Sequence, residues 1–491
     1  MQTPKIIVGE KSSNYGEFKL YMTNKEDIIK RFDALAESRS YWKDRNRYYY
    51  DDQERYFRFL VSEGSSILEL GCGTGDLLKT LRPKRGVGID ISSEMVRIAQ
   101  KRHPQLEFRT ADIEQLEGWG EAFDYLIMAD VVGHLMDIED TFRRLHVFCR
   151  PNTRIIISYY NLLWEPILKI GEKLRLKTPQ HYQNWLSPYD ICNLLSLAHF
   201  QVVKSDFRFL IPKQIPWFSN FINKYLASLP GLRKLCLCQY IVARSTKEKE
   251  DGEFSATILI PCKNERDNIG PAVKRIPNFG KHQEIIFVDG HSTDGTQEEI
   301  NRIIDAYPDK DIRLLLQVGQ GKGDAVRKGF ADAKGDILMI LDADLTVPPE
   351  DLPKFYRALR EDQGEFINGC RLVYPMERQA MRFLNYLGNK FFSMMFTWIL
   401  NQRFKDTLCG TKALFKKDYE KIHSNRSYFG DFDPFGDFDL IFGAVKQNLK
   451  VVEVPIRYKE RTYGRTSIHR FYHGWLLMKM TIFAYKKIKI C

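Results

Sequence analysis

Long hydrophobic runs and a cysteine framework are both missing from this sequence. No stretch reaches the roughly 18–20 uncharged apolar residues of a membrane-spanning helix. The opening residues, MQTPKIIVGEKSSNYGE, lack the apolar core of a signal peptide, so we expect a cytoplasmic protein without a cleaved leader. The nine cysteines are scattered, and the close pair Cys236 and Cys238 has no second pair that would complete a zinc site. Reduced, partly buried thiols are therefore expected.

A strong charge bias is also missing. The net charge of +11 divides almost evenly, with +6 in residues 1–245 and +5 in the remainder. A local excess lies in residues 457–491, where nine Lys and Arg residues accompany one acid, Glu460. Because no basic groove with interleaved aromatic residues is present, we expect no nucleic-acid partner.

A pattern of alternating apolar strands and helices occurs twice in the 491 residues. The first set of strands reads SILEL, GVGID, FDYLIMA and RIIISYY, and the second reads ATILIP, EIIFVD, DIRLLL and DILMI. A charged stretch, KEKED, separates the two sets. This arrangement predicts two α/β domains with parallel sheets, residues 1–245 and 254–491, which fold separately and are joined by a charged linker at 246–253.

The segment ELGCGTG places Gly71, Gly73 and Gly75 in a turn between a strand and a helix. Glycines at such a turn let the backbone approach a ligand, and Asp90 at the end of the next strand suits the hydroxyls of a ribose. The third glycine comes one residue too early for a dinucleotide fingerprint, and the helix opens with Asp76 where a pyrophosphate would lie. The pattern therefore favours a nucleoside that carries an amino group.

Residues ~20–245 resemble class I S-adenosylmethionine-dependent methyltransferases through ILELGCGTG, GIDIS and ADVVGHL. The resemblance implies a Rossmann-like fold and S-adenosylmethionine as cofactor. Its implied cofactor-binding residues are Glu69, Gly71 and Gly73 around the methionine part, Gly75 in the same turn, Asp90 at the ribose and Asp112 at the adenine. In ADVVGHL, Gly133 stands where that family usually has glutamate. His134 is then either a catalytic base or a residue that orients the loop.

A pair of acids, Asp342 and Asp344, ends the apolar segment DILMILDADL. Residues i and i+2 of an extended chain point to the same side, so the two carboxylates face one ligand. Such a pair suits a hard divalent cation, Mg²⁺ or Mn²⁺. A cation at this position stabilises the charge that a departing diphosphate gains, which indicates a nucleotide-sugar donor.

Residues ~254–475 resemble family 2 glycosyltransferases of the GT-A fold, of the dolichyl- or polyprenyl-phosphate sugar synthase type. The resemblance rests on PCKNERDNI, FVDGHSTDGT, GKGDAVRKGF, DADL and VPIRYKERTYGRTS. It implies donor-binding roles for Pro261 and Glu265 in the nucleotide pocket, Asp289 at the base, Lys322 and Asp342 near the diphosphate and Arg371 at phosphate, with metal ligation by Asp342 and Asp344. Thr411 and Lys412 depart from the usual acceptor-side loop of this family.

Further acids and arginines follow toward the C-terminus. Asp437 or Asp439 is a general base, as in inverting members of the family, or else Asp437 only caps a helix. If the acceptor is a lipid phosphate, no base is required, because its oxygen is already anionic. Phosphate-binding roles are expected for Arg457, Arg461 and Arg465, since guanidinium groups bind phosphate oxygens in pairs.

Two segments, 380–400 and 471–491, combine aromatic and aliphatic residues with lysines. This composition suits interfacial helices at the inner face of an anionic membrane, although each helix could instead pack on its own domain.

The sequence favours a bifunctional enzyme. One domain transfers a sugar from a UDP- or GDP-linked donor to a lipid phosphate or a glycan, and the other methylates an oxygen of a sugar or glycan. In a second hypothesis the methyltransferase acts on protein or nucleic acid. In a third it binds the cofactor only as a scaffold.

Overall fold

The computed structural model describes residues 25–178, 183–247, 252–374, 383–428, 436–461, 463 and 470–490. These residues form two seven-stranded sheets with helices on their faces. The predicted fold class, two α/β domains, is confirmed.

The first sheet contains strands of residues 66–245 in the order β3-β2-β1-β4-β5-β7-β6. Its strands are β1 (Ser66–Leu70), β2 (Arg85–Asp90), β3 (Glu107–Thr110), β4 (Phe123–Ala129), β5 (Cys149–Tyr160), β6 (Phe200–Arg208) and β7 (Cys238–Ser245). The first five run parallel, and β7 pairs antiparallel with both β5 and β6. The order reverses between β1 and β4, which is where open α/β sheets bind ligands.

Nine helices accompany this sheet in the described residues, and they follow the predicted alternation. They are α1 (Lys25–Ala36), α2 (Arg39–Arg45), α3 (Arg47–Leu60), α4 (Asp76–Thr80), α5 (Ser93–Arg102), α6 (Ile138–Arg144), α7 (Glu165–Lys173), α8 (Pro188–Leu197) and α9 (Phe218–Phe221). A π-helical turn, Ile222–Leu226, continues α9. Helix α6 ends at Arg144 and the chain continues as a 3₁₀ turn to Phe148.

The second sheet has the order β10-β9-β8-β11-β13-β12-β14. Its strands are β8 (Ser255–Cys262), β9 (His282–Asp289), β10 (Asp311–Leu316), β11 (Ile337–Ile340), β12 (Phe366–Cys370), β13 (Lys412–Phe415) and β14 (Val451–Pro455). Its helices are α10 (Arg266–Arg275), α11 (Thr296–Ala306), α12 (Lys322–Asp332), α13 (Leu352–Arg360), α14 (Phe383–Leu400), α15 (Lys416–Ser424), α16 (Asp437–Lys446) and α17 (Arg470–Ile488). The strands β12 to β14 were not predicted from the sequence.

The two sheets share buried structure and do not present independent surfaces. One continuous hydrophobic cluster contains side chains from both, including Tyr56 and Ile157 of the first half and Phe438 and Met480 of the second. Polar contacts accompany this packing, since the Lys204 ammonium donates to the Val445 carbonyl and the Asn448 amide donates to the Leu60 carbonyl. The two halves thus bury apolar surface against each other, and the expectation that they fold separately stays a prediction.

Within the described residues, no helix combines the length and the apolar character needed to span a bilayer.

Candidate functional sites

The glycine turn after β1 has the conformation that the sequence predicts. Gly71, Gly73 and Gly75 all have positive φ angles, of 78°, 51° and 76°. A Cβ atom at Gly71 would lie 2.6 Å from a methyl group of Val131, and one at Gly75 would lie 2.5 Å from the Phe108 ring. Gly71 and Gly73 line a cavity, whereas Gly75 packs against Phe108 at the start of α4. The turn therefore presents its first two glycines to a ligand.

Asp90 and Asp112 line the same cavity from the ends of β2 and β3. One Asp90 oxygen accepts a hydrogen bond from the Gly73 amide at 2.8 Å, and the other accepts one from the Ser92 amide at 3.0 Å. These bonds fix the carboxylate at the cavity edge, and burial raises its pKa. Asp112 forms an ion pair with Lys25 of α1. Both acids therefore lie where the resemblance implies contacts to a nucleoside.

Glu69 lies buried in β1, beneath the glycine turn. Its Oε2 atom has no hydrogen-bond partner among the described residues, and burial raises the pKa of the carboxyl group to about 8. An unpaired buried oxygen is costly and is usually matched by a ligand or water. The residues of this turn thus fit S-adenosylmethionine, whose ammonium group would supply a partner of opposite charge.

The cavity has a volume of about 850 Å³, which is large enough for a nucleoside cofactor and a second substrate. Helices α1 to α3 cover one side of it, and α7 with the segment 212–214 forms another. Lys43 of α2 contacts Asp76 at 2.6 Å and thereby ties this cover to the start of α4. Burial alone would raise the pKa of Asp76, but the Lys43 ammonium lowers it to about 2.

Asp130 is a residue of this cavity that the sequence analysis missed. It follows β4 with a φ of 58°, a left-handed conformation that is uncommon for a non-glycine residue. Its carboxylate accepts hydrogen bonds from the Tyr49 hydroxyl at 2.6 Å, the Gln53 amide at 2.8 Å and the Ser158 hydroxyl at 3.0 Å. Burial raises its pKa. An acid directly after the apolar run FDYLIMA was the signal available in the sequence.

Steric crowding explains why residue 133 is a glycine, where the resembled family usually has a glutamate. A Cβ atom there would lie 1.8 Å from the Tyr159 hydroxyl, so no larger side chain fits. The Tyr159 hydroxyl donates to the Asn184 carbonyl, and the Asn184 backbone N–H donates to the Gly133 carbonyl at 2.7 Å. His134 lines the cavity, with its ring edge-on to Phe32 at a centroid distance of 5.4 Å.

In the second half, the acids after β11 are paired with cations. The Lys322 ammonium at the start of α12 donates to Asp342 at 2.6 Å. Burial disfavours the charged forms of both groups, yet their mutual attraction raises the pKa of Lys322 and lowers that of Asp342. Gly410 packs against this pair, since a Cβ atom there would lie 2.2 Å from both side chains.

Asp344 forms the second ion pair of this site. The Arg461 guanidinium contacts Asp344 at 2.8 Å and Glu265 at 3.4 Å. Although Asp344 and Glu265 are 79 residues apart, Arg461 brings the ends of β8 and β11 together with the segment after β14. The structure thus unites Glu265, Lys322, Asp342, Asp344 and Arg461 at the carboxyl ends of neighbouring strands, which is where ligands bind in such sheets.

Asp289 ends β9, the strand beside β8. Its Oδ2 accepts hydrogen bonds from the Gln297 amide at 2.7 Å and the Ser292 amide at 3.1 Å, while its buried Oδ1 has no partner among the described residues. Pro261 pairs with Val288 in the same two strands. An unpaired, buried carboxylate oxygen at the carboxyl end of β9 suits the N–H groups of a nucleotide base.

Arg371 is positioned differently from its expected role. Its guanidinium donates to both oxygens of Asp406, at 2.7 and 2.8 Å, and this pair is buried. The side chain also lies over the Tyr458 ring. Its fork is occupied by Asp406 and holds β12 against the loop before β13, while the expected contact between Arg371 and a phosphate stays a prediction.

The two acids considered as a general base occupy different surroundings. Asp437 accepts from the fully buried Lys412 ammonium at 2.8 Å, next to Lys322. Asp439 contacts Arg426 at 3.0 Å and Arg327 at 3.7 Å, and lines a separate small cavity. Of these two acids, only Asp437 therefore lies near Lys322 and Asp342.

Two of the three arginines that are expected to bind phosphate lie among the described residues. Arg457 is exposed and lies over the Tyr374 ring, 5.6 Å from its centroid, while Arg461 contacts Asp344. Arg465 lies outside the described residues.

A divalent cation is compatible with the oxygen-only donor set of Asp342 and Asp344. No group of three or more acidic, histidine or cysteine side chains suited to a metal occurs in the part of the chain that the structure describes. The remaining ligands would therefore come from a diphosphate and water.

Comparisons with known proteins identify the same two regions. The family model for a methyltransferase domain matches residues 41–205, and the family model for glycosyl transferase family 2 matches residues 257–422. The dolichol-phosphate mannosyltransferase of Pyrococcus furiosus is 32% identical over 237 residues, covering 46% of this chain and 64% of the relative. Glycosyltransferase AglJ of Haloferax volcanii is 29% identical over 208 residues, covering 42% and 64%.

The chain thus spans less than two thirds of the length of these curated relatives. Among solved structures, a SAM-dependent methyltransferase of Thermotoga maritima matches 45% of this chain and 100% of its own at 16% identity, with a TM-score of 0.37. The family models, rather than this structural likeness, assign the two regions.

Proposed function

Because the chain joins a methyltransferase domain to a glycosyl transferase family 2 domain, we propose that it catalyses two reactions. It transfers a sugar from a nucleotide-sugar to a lipid phosphate, and it methylates a hydroxyl group of a sugar or glycan. The observation that carries the first reaction is the cluster of Asp342 and Asp344 with Lys322 and Arg461 at the ends of β8 and β11. It combines carboxylates for a metal with cations for a diphosphate.

Different residues bind different parts of the nucleotide-sugar donor. Asp289 accepts hydrogen bonds from the base through its unpaired Oδ1, and Lys322 and Arg461 bind phosphate oxygens. A divalent cation held by Asp342 and Asp344 would supply further positive charge where the diphosphate gains negative charge. Lys322 and Arg461 leave their carboxylate partners and turn to the phosphates as the donor binds.

The acceptor we propose for this domain is a lipid phosphate. Its oxygen is anionic before the reaction, so no general base is required, and Asp437 remains in its buried ion pair with Lys412. The names of relatives support this choice, since they include dolichol-phosphate mannosyltransferase and, at 32% identity over 139 residues, an undecaprenyl-phosphate 4-deoxy-4-formamido-L-arabinose transferase of Edwardsiella ictaluri.

The methylation site is the large cavity of the first domain. S-adenosylmethionine bound beside Gly71, Gly73 and Asp90 would supply an electrophilic methyl group. Asp130 accepts the proton of the acceptor hydroxyl, because its carboxylate lines the cavity and its raised pKa makes it a stronger base than an exposed aspartate. Tyr49 and Gln53 hold that carboxylate in place through their hydrogen bonds. His134 lines the same cavity and is the alternative base.

A donor screen tests the glycosyltransferase assignment. Thermal unfolding of the full chain is recorded with UDP, GDP and their sugars, with Mn²⁺ or with EDTA. We expect a metal-dependent rise in Tm for one nucleotide class, lost in Asp342→Asn and kept in Asp305→Asn, an exposed control on α11. If no nucleotide raises Tm, or if both variants respond alike, the donor site is wrong.

A further inference from the structure

The helix α7 of the methyltransferase domain carries apolar side chains on its solvent side. Ile167 and Ile170 of α7, with Leu163 in the turn before it and Leu174 directly after it, recur at intervals of three or four residues, and each is more than half exposed. This spacing places them on one face of the helix. A stripe of this kind normally packs on a core, so its exposure calls for a partner.

A second stripe lies in the connection between β6 and β7. Trp217, Phe218, Phe221 and Tyr225 are all exposed, and the last three have helical spacing. Trp217 is 90% exposed and has a φ of 65°, which is unfavourable for a bulky residue. The chain therefore accepts backbone strain where it presents an indole ring to solvent.

The C-terminal half contributes two further stripes. On α14, Leu387, Phe391 and Met394 are exposed at helical spacing. On α17, Trp475 and Ile482 are exposed one heptad apart, and Lys479 and Lys486 are exposed on the same face. Apolar rings and chains interleaved with lysines are typical of helices at a lipid surface.

Direct contacts make neighbours of the elements that carry the four stripes. The Trp164 indole N–H at the start of α7 donates to the Leu235 carbonyl at 2.8 Å. The Trp398 indole N–H of α14 donates to the Ser228 carbonyl at 2.6 Å, and the Tyr485 hydroxyl of α17 lies 3.1 Å from the Ser228 hydroxyl. The connection between β6 and β7 therefore links α7 on one side to α14 and α17 on the other. We call the four stripes together the apolar face.

The charge of these elements is positive. Between β6 and β7, Lys213, Lys224 and Lys234 are exposed and residues 209–237 contain no acid, and neither α14 nor α17 contains an acid. The two acids of α7, Glu165 and Glu172, are paired with Lys169 and Lys177. The apolar face is thus complementary to negatively charged lipid headgroups.

The methylation cavity opens among the same residues. Ile167, Ile170 and Leu174 line the cavity as well as contributing to the apolar face, and Lys213 lines it from the segment 212–214. Asp130 lies in the same cavity. An acceptor that enters past α7 therefore passes apolar side chains before it reaches the groups that we propose for methyl transfer.

We propose that the apolar face docks on an anionic phospholipid bilayer and that the methyl acceptor is a lipid-linked sugar delivered from it. Both domains then contact one membrane, and the methyltransferase takes its acceptor from the bilayer that holds the lipid phosphate. The second half of this inference rests on the proposed methyl transfer.

Vesicle sedimentation of the full chain tests the docking. The double variant Leu163→Ser/Trp217→Ser removes two exposed side chains that do not line the cavity, and Tyr189→Ser removes an aromatic ring that is 81% exposed on α8. With vesicles of phosphatidylcholine and phosphatidylglycerol, we expect the partition coefficient of the double variant to fall about tenfold or more, since two large apolar side chains no longer leave water on docking. The control variant should behave as the wild type, and vesicles of phosphatidylcholine alone should bind weakly.

Several outcomes would overturn the docking. Wild-type protein that stays in solution with anionic vesicles removes the surface altogether. If the double variant and the wild type partition equally, the methyltransferase domain is not part of the docking surface. Calorimetric binding of S-adenosylmethionine is measured in parallel: binding that persists while docking fails leaves the proposed methyl transfer intact.

The acceptor is tested with S-adenosylmethionine labelled in its methyl group and native membranes as the acceptor pool. We expect the label in the chloroform–methanol extract, with sensitivity to mild acid that cleaves a lipid–phosphate–sugar bond. Label in the aqueous fraction, or none in either, contradicts a lipid-linked acceptor. Donor-dependent Tm shifts in the same preparation separate this failure from a failure of the glycosyltransferase assignment.

Discussion

At the scale of single residues, three carboxylates, one buried and two half-buried, have three different environments. Glu69 has an unpaired oxygen, Asp130 accepts three hydrogen bonds, and Asp342 is held by the Lys322 ammonium. Burial alone disfavours the charged form of each. The neighbours therefore decide whether the pKa of the carboxyl group stays raised, as for Glu69 and Asp130, or is lowered, as for Asp342.

The affinity for S-adenosylmethionine should depend on pH through Glu69. The pKa of its carboxyl group is raised to about 8 in the free protein, so the group is mostly protonated at pH 6 to 7. Binding of a cationic ammonium favours the carboxylate and releases the proton, so affinity should rise with pH over this range by up to about tenfold per unit. Isothermal calorimetry in buffers of different ionisation enthalpy measures this release.

Glu69→Gln is the matched variant for that prediction. It keeps the shape of the side chain and removes its charge, so both the proton release and the pH dependence should disappear. Proton release that persists in this variant would assign the titrating group to another residue.

The proton acceptor of methyl transfer is tested by Asp130→Asn. We expect kcat to fall by about 10² or more, the usual contribution of a general base, with binding of S-adenosylmethionine unchanged. His134→Ala is the companion variant and should lose much less. A larger loss in His134→Ala than in Asp130→Asn would exchange the two roles.

The sequence was informative for residues whose role follows from neighbours along the chain. Gly71, Gly73, Asp342 and Asp344 lie at the ends of strands that apolar runs predict. The pair of Arg371 with Asp406 was not predicted, because the two residues are 35 positions apart and no local pattern joins them. Asp130 was missed for the same reason, since Tyr49 and Gln53 lie on a helix some 80 residues earlier.

At the scale of elements, single ion pairs fix the loops around both sites. Lys43 ties α2 to the start of α4, and Arg371 ties β12 to the loop before β13. Glu453 of β14 accepts backbone N–H groups of Lys405 and Asp406 in the same loop. These contacts hold irregular segments at a defined position beside the sheet.

Breaking the buried Arg371–Asp406 pair should destabilise the protein. Arg371→Met leaves Asp406 buried without its partner, and such losses cost about 3–5 kcal/mol. Burial tends to raise the pKa of Asp406, but the Arg371 guanidinium lowers it to about 2. The pair therefore stabilises the fold fully above pH ~4, where unfolded aspartate is ionised, and this stabilisation is lost as pH falls toward 2.

Urea denaturation at pH 7 and pH 3 measures the effect. The wild type should lose part of its free energy of unfolding at the lower pH, and Arg371→Met should lose less on acidification. Asp305→Asn is the surface control and should match the wild type at both pH values. An Arg371→Met variant as stable as the wild type at pH 7 would contradict the proposed structural role.

At the scale of the whole molecule, two arginines of the first sheet reach into the second half. Arg154 of β5 is 3% exposed and contacts Glu365, which is 7% exposed, at 2.6 Å. Its Nε donates to the Asn448 carbonyl at 2.9 Å. Arg244 of β7 contacts Asp362 at 2.6 Å. The pairs lie at the common border of the two domains, so the domains are expected to unfold together.

Calorimetry of unfolding tests this coupling. The wild type should show one cooperative transition, because each half covers apolar surface of the other. Arg154→Met leaves Glu365 buried without its main partner, so we expect a loss of about 3–5 kcal/mol and a split into two transitions. Arg154→Met/Glu365→Gln should recover part of that loss. Two transitions in the wild type would show that the domains unfold separately.

The sequence by itself determined the two α/β domains, the glycine turn and the paired acids. These features depend on periodicity and on residues adjacent along the chain, and each short segment contains its own signal. The tertiary structure alone decided the shared core, the cations that pair with the acids, the surroundings of Asp130 and the exposure of the apolar face. An amphipathic stripe has the same sequence pattern whether it faces a core or solvent. An ion pair between residues that are distant along the chain exists only once the chain has folded.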